Sequence, residues 1–222
     1  MTSPVRWIYL VATVDHAAWV EAISASALRA GLQWIDIDTP PHDAGAAQII
    51  VTRSFEAFSA ATAHEKLVLI PAYTPSVGVD HSNVVASFVS DLIAVSELYA
   101  QVAALPDDVR ILGARDLRLG EVRLFDDMVV SPPPVAVLSE QRQIDLAAAL
   151  ALYENGRPKV GDKATWTPLV LNYEDRAISG QTVPGRMDVT GRPRSLIYGP
   201  YAIIPPGLWR ATFRFSVDKA TG

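Results

Sequence analysis

The apolar positions of the chain change period along its length. Val5–Val14 is a largely unbroken apolar run, the pattern of a strand covered on both faces. Asp15 follows, placed to cap a helix by accepting a bond from a free backbone N–H. Val20, Ile23 and Ala27 then recur at helical spacing, and Gly31 stands where a helix ends in a left-handed residue. Leu32–Asp38 predicts a second strand, stopped by Pro40 and Pro41, and Gln48–Thr52 and Leu67–Tyr73 predict two more. Val85, Phe88, Leu92, Val95, Tyr99 and Val102 form one stripe in steps of three and four, the mark of an amphipathic helix. Asp80 or Ser82 can cap that helix, and Pro106 ends it. Strands alternating with helices predict βαβ crossovers and a mainly parallel, Rossmann-like sheet.

After Pro106 the segments shorten. Val109–Leu112 predicts a strand, Leu117–Leu119 and Glu121–Phe125 a hairpin around Gly120, and Met128–Val130 a further strand. The stretch Ser131-Pro-Pro-Pro-Val135 is stiff and extended. A helix then runs from Ser139 to about Glu154, stopped by Asn155-Gly156-Arg157-Pro158. The rest reads as strand: Trp166–Tyr173, Arg186–Val189, Ser195–Ile204 and Leu208–Val217. In the last of these, Trp209, Ala211, Phe213, Phe215 and Val217 alternate with Leu208, Arg210, Thr212, Arg214 and Ser216, a period of two that separates an apolar face from a basic one. The expected organisation is an α/β Rossmann-like domain over 1–131, a Pro-rich linker and helix over 132–162, and an incomplete antiparallel β-sandwich-like segment over 163–222.

Charge narrows the function classes. The net charge of the 222 residues is −5: −6 over 1–105, −3 over 106–162 and +4 over 163–222. An acidic front half argues against nucleic acid as a partner, because phosphate binding needs a basic surface. No cysteine is present, which excludes disulfides, thiolate metal sites and a cysteine nucleophile. No segment reaches the ~20 apolar residues of a membrane span, and the Trp7–Val14 run lacks the basic start and cleavage site of a secretory signal. The expectation is a cytoplasmic protein with no membrane partner.

The chemistry-bearing residues are few. The turn after the first strand, Ala12-Thr-Val-Asp-His16, has no glycine, so it lacks the close backbone approach that a dinucleotide needs. Phosphate-loop and Gly-x-Ser-x-Gly patterns are absent as well, and no cofactor is expected. Asp15, His16, Asp80 and His81 follow the first strand or precede the long helix. They can meet at the carboxyl end of the sheet, where open α/β folds bind ligands. Asp36 and Asp38 flank Ile37 and share a strand face, as a carboxylate pair for acid–base work would or as solvated strand-end residues.

In the C-terminal segment, Asp188-Val-Thr-Gly-Arg-Pro-Arg-Ser-Leu-Ile-Tyr-Gly-Pro-Tyr201 leads into Pro206-Gly207-Leu208-Trp209-Arg210 and Phe215. This run resembles the opening strands of carbohydrate-binding-like β-sandwich modules in bacterial polysaccharide-associated proteins, some attached to glycosyltransferases. The resemblance covers about a quarter of the chain. It implies a sandwich fold and a glycan contact, with Tyr201 stacking on a sugar and Arg192 and Arg194 bonding its hydroxyls. A complete sandwich of that kind needs about eight strands, and this segment predicts roughly four. The last strand must therefore pack on the α/β domain, pair with another subunit, or belong to a longer protein.

The reading that results is a non-enzymatic accessory protein contacting glycan, with its C-terminal strands open to a partner protein or to a second subunit in a homo-oligomer. No catalytic residue is assigned. Asp15, His16, Asp36 and Asp80 would line a ligand site at the sheet end, and Arg192, Arg194 and Tyr201 one in the β segment. The alternative is an enzyme of sugar or nucleotide-sugar metabolism, which requires Asp15, His16 and Asp36 to converge in one pocket.

Overall fold

The structure is a computed structural model that describes residues 5–13, 15–38, 48–71, 84–118, 120–134, 147–175, 178–182, 197–199 and 202–216. Its centre is a five-stranded parallel sheet: β1 (Arg6–Leu10), β2 (Trp34–Asp36), β3 (Ile49–Thr52), β4 (Glu65–Leu69) and β5 (Arg110–Leu112). The strand order is β2-β3-β1-β4-β5. Arg6 to Tyr9 pair in parallel with Ile49 to Thr52 on one side, and Arg6 to Leu10 with Glu65 to Leu69 on the other. Helices α1 (His16–Arg29), α2 (Phe55–Ala60) and α3 (Val84–Ala103) join the strands, so the fold is α/β, as the alternating pattern predicts.

The period of two along each strand sorts its residues onto two cores. Ile8, Leu10, Ile49, Val51, Leu67 and Leu69 pack with Trp19, Ile23 and Ala27 of α1. Tyr9, Val11, Val68 and Ile70 point the other way, against Phe58 of α2 and Leu92, Tyr99 and Val102 of α3. Burial of both faces explains why these strands read as continuous apolar runs and not as alternating ones. Each such side chain contributes about 1.5–3 kcal/mol on leaving water. Gly31 closes α1 at φ 71°, the left-handed position that its sequence context predicts.

Between β1 and β4 the connections part. The chain leaves β1 toward the β2–β3 side and leaves β4 toward β5, so the carboxyl end of this strand pair is a topological switch point.

Several predicted elements differ. Leu117 does not open a hairpin around Gly120; it ends a one-turn helix, α4 (Ala114–Leu117). The hairpin lies later, between β6 (Val122–Phe125) and β7 (Met128–Val130), turning at Asp126-Asp127 and bulged between Arg123 and Phe125. It closes over α1, where the Ser26 hydroxyl donates to the Val129 carbonyl. Trp166–Tyr173 is not one strand: Pro168–Val170 is a 3-10 turn, and β8 (Asn172–Asp175) begins after it. A small antiparallel sheet combines β8 with β9 (Ile178–Thr182) and β10 (Ile197–Tyr198), in the order β10-β8-β9. Arg186–Val189 lies outside the described residues.

Residues after the Pro-rich stretch join the α3 side of the core. Leu150, Leu152, Tyr153 and Val170 are buried there, and Ala202 and Ile204 pack against them. Arg157 fastens this region to the end of α3: its guanidinium donates to the carbonyls of Leu105, Pro106 and Val109 and pairs with Asp107 at 2.8 Å. The chain then leaves the domain. Residues 206–216 are exposed and belong to no strand. The predicted strand Leu208–Val217 is therefore absent over its described length, and among the described residues no neighbouring strand pairs with it. Among the described residues, no helix is long and apolar enough to cross a membrane.

Candidate functional site

The carboxyl ends of β1, β2 and β3 bring together the first group of ionisable side chains. His16 opens α1 directly after the β1 turn, Asp36 ends β2, Asp38 lies in the turn behind it, and Arg53 follows β3. This is the ligand-binding end of an open α/β sheet.

The carboxylates are first of all turn-formers. Asp36 Oδ1 accepts the Asp38 N–H at 3.0 Å, an Asx turn that stops β2. Asp38 Oδ1 accepts from the Thr52 hydroxyl at 3.2 Å, and Asp38 Oδ2 accepts the Arg53 backbone N–H. The Arg53 guanidinium lies 3.5 Å from the same oxygen. Thr52, wholly buried, passes the network on by accepting the Ser54 N–H at 2.9 Å. Ser54 in turn caps α2, accepting from the Ala57 N–H at 3.1 Å. Asp38 thus locks the ends of β2 and β3 together, and a loaded carboxylate of this kind is a poor general base.

His16 is the exception. Burial pushes its imidazole below the ordinary histidine value, and the positive charge of Arg53 adds to that; Asp36 and Asp38 pull the other way. Its Nδ1 and the Thr13 hydroxyl are buried with no hydrogen-bond partner among the described residues. Such orphaned polar atoms are uncommon in folded proteins and mark places where a further group can bind. Beneath them, burial and then the charge of Asp38 push the Tyr9 hydroxyl up to about 12.

Asp15 lies apart from this cluster. It occupies the N-cap position of α1, yet its side chain makes no capping bond, contrary to the sequence expectation. It lines a separate shallow, open depression at the switch point, together with Trp19, Leu117, Pro71, Arg118, Pro133 and Pro134. Asp15 and the His16–Asp36–Asp38–Arg53 cluster therefore form two neighbouring features. Among the described residues, no three His, Asp or Glu side chains are grouped as metal ligands. Asp80, Arg192, Arg194 and Tyr201 lie outside the described residues, as does His81.

Sequence reasoning missed Arg53 and Thr52. The signal was present: a polar pair ending a four-residue apolar strand marks the ligand end of a parallel sheet.

The C-terminal arm is the second feature. Tyr153 donates from its hydroxyl to the Ile203 carbonyl at 2.8 Å, and Ile203 donates its N–H to Ser96 Oγ at 2.9 Å. Beyond Pro205-Pro206, Trp209 folds back so that its indole N–H bonds the Pro205 carbonyl at 2.9 Å. Leu208, Phe213 and Phe215 are 104%, 77% and 84% exposed, whereas large apolar side chains normally seek cover. No family model matches the chain, and no curated protein or solved structure matches it either.

Proposed function

We propose that the protein is a non-enzymatic accessory protein that works by contact through its C-terminal segment, with glycan or with a partner protein, in bacterial polysaccharide biosynthesis. The observation that carries this reading is the arm 206–216. It is tied to the domain at Ile203 and then holds out Leu208, Phe213 and Phe215, with Arg210 and Arg214 between them. An exposed segment with the alternation of an amphipathic strand, paired with no strand among the described residues, has the chemistry of strand addition to a partner. Glycan contact rests on the resemblance of the same segment and on Arg192, Arg194 and Tyr201. The test is migration of the full chain through native gels cast with alginate or dextran. Retardation that weakens in an Arg192→Ala/Arg194→Ala/Tyr201→Ala variant supports glycan contact; unchanged migration in every gel removes it.

A second reading, an enzyme of sugar or nucleotide-sugar metabolism, loses Asp15, which lines a depression without His16 and Asp36, and draws on His16. A neutral imidazole with an unpartnered Nδ1 among Asp36, Asp38 and Arg53 has the makings of a proton-transfer group. Turnover of a nucleotide-sugar panel, followed by NMR and abolished by His16→Ala, would favour it. No turnover of any member would count against it.

A further inference from the structure

We infer that the arm 208–216 adds as an outer strand to the free β2 edge of a second copy of this chain. This rests on the arm being the contact element, as proposed above, and names its partner.

The two edges of the parallel sheet differ. β5 is flanked by the turn at 154–157: the Arg115 N–H bonds the Glu154 carbonyl at 3.0 Å, and Gly156 at φ 78° sits against Ile111. At β2, the Ile37 N–H bonds Val51 O, and Gln33 O accepts from Gln48 and Ile49. The odd-numbered positions thus face β3, and the alternate main-chain groups of β2 face outward. Among the described residues no strand lies on that outer side.

The chemistry of the two strands is complementary. Residues 30–38 contain Asp36 and Asp38 and no basic residue, and Trp34 and Ile35 are only half-buried. Residues 207–216 contain Arg210 and Arg214 and no acidic residue. An arm laid along β2 therefore sets apolar beside apolar and a segment of net positive charge beside one of net negative charge. Pairing of two arms with each other fares worse, because an antiparallel register centred on Thr212 opposes Arg210 to Arg214. The arm is anchored at Ser96 of α3, the helix that leads from β4 to the opposite edge, β5. Residues 208–216 are exposed and belong to no strand of their own chain, so the acceptor is the β2 of another copy, and reciprocal exchange closes a twofold dimer.

The test is light scattering on a size-exclusion column with the full chain and a Phe213→Asp/Phe215→Asp variant, whose changes fall on exposed residues and spare the core. The expected result is twice the 24.0 kDa chain mass, falling to the single-chain mass in the variant, with hydrogen-exchange protection at 34–36 and 209–215 lost together. A monomeric wild type overturns the inference, as does a dimer unaffected by the variant. A monomer still retarded in polysaccharide gels removes this inference and leaves the binding reading standing. A monomer that is not retarded removes this inference and glycan contact together.

Discussion

Three residues show how local chemistry sets the behaviour of this molecule. A Cβ built on Gly113 falls 2.2 Å from Glu154 O and 2.4 Å from Gly156 N. These are backbone atoms that cannot swing aside, so Gly113→Ala is expected to cost about 1–3 kcal/mol by overpacking, read as a lower urea midpoint. Arg157→Ala strips the donor from three carbonyls after α3. About 1–2 kcal/mol is expected for that loss, while the fully exposed Asp107 partner adds little. His16 supplies a pH signature. Its folded pKa lies below the ordinary 6.5, so above about pH 6.5 both folded and unfolded chains carry it neutral. As pH falls below that, the unfolded chain takes the proton first, and stability declines until the folded pKa is passed. A His16→Asn variant is expected to have a shallower decline as pH falls below about 6.5 in urea titrations; an unchanged slope would show that His16 is not the group responsible. At this scale the sequence was a partial guide. His16 and Asp36 are legible as sheet-end residues because strand and helix periods meet there. The partners of Asp38 are not, since Thr52 and Arg53 become its neighbours only when β3 pairs with β2.

At the scale of elements, legibility followed burial. β1, β3, β4, α1 and α3 are written in long runs of one period, because each buries a continuous face. The hairpin was misplaced because Gly120 is a stronger turn signal than Asp126-Asp127, and Leu117 is buried on α4 for tertiary reasons. Helix α2 escaped notice because Phe55–Ala60 is too short to show a period, though Ser54 is a good cap with hindsight. The tether of the arm belongs to this scale as well. Tyr153→Phe removes the bond to Ile203 while keeping the ring beside Tyr99. It is expected to cost about 1 kcal/mol and to speed proteolytic cleavage within 202–216 while leaving the β1–β5 body intact. Cleavage at the wild-type rate would mean that Ser96 alone holds the arm.

For the whole molecule, the division of charge matters more than any single site. The acidic α/β body and the basic, aromatic arm belong to one chain, yet residues 206–216 of the arm are exposed and pair with no strand among the described residues. The alternation of Leu208–Val217 was legible as strand; the absence of a neighbour was not, because pairing is a property of the sheet and not of the segment. A strand without a sheet leaves its backbone bonds to water and its aromatic rings uncovered, so contact is the state that relieves both. The most direct measurement of this claim is amide hydrogen exchange over the arm as protein concentration is raised. The account predicts fast exchange across 207–216 in dilute protein and marked slowing as concentration rises. Equally fast exchange at every concentration would contradict it.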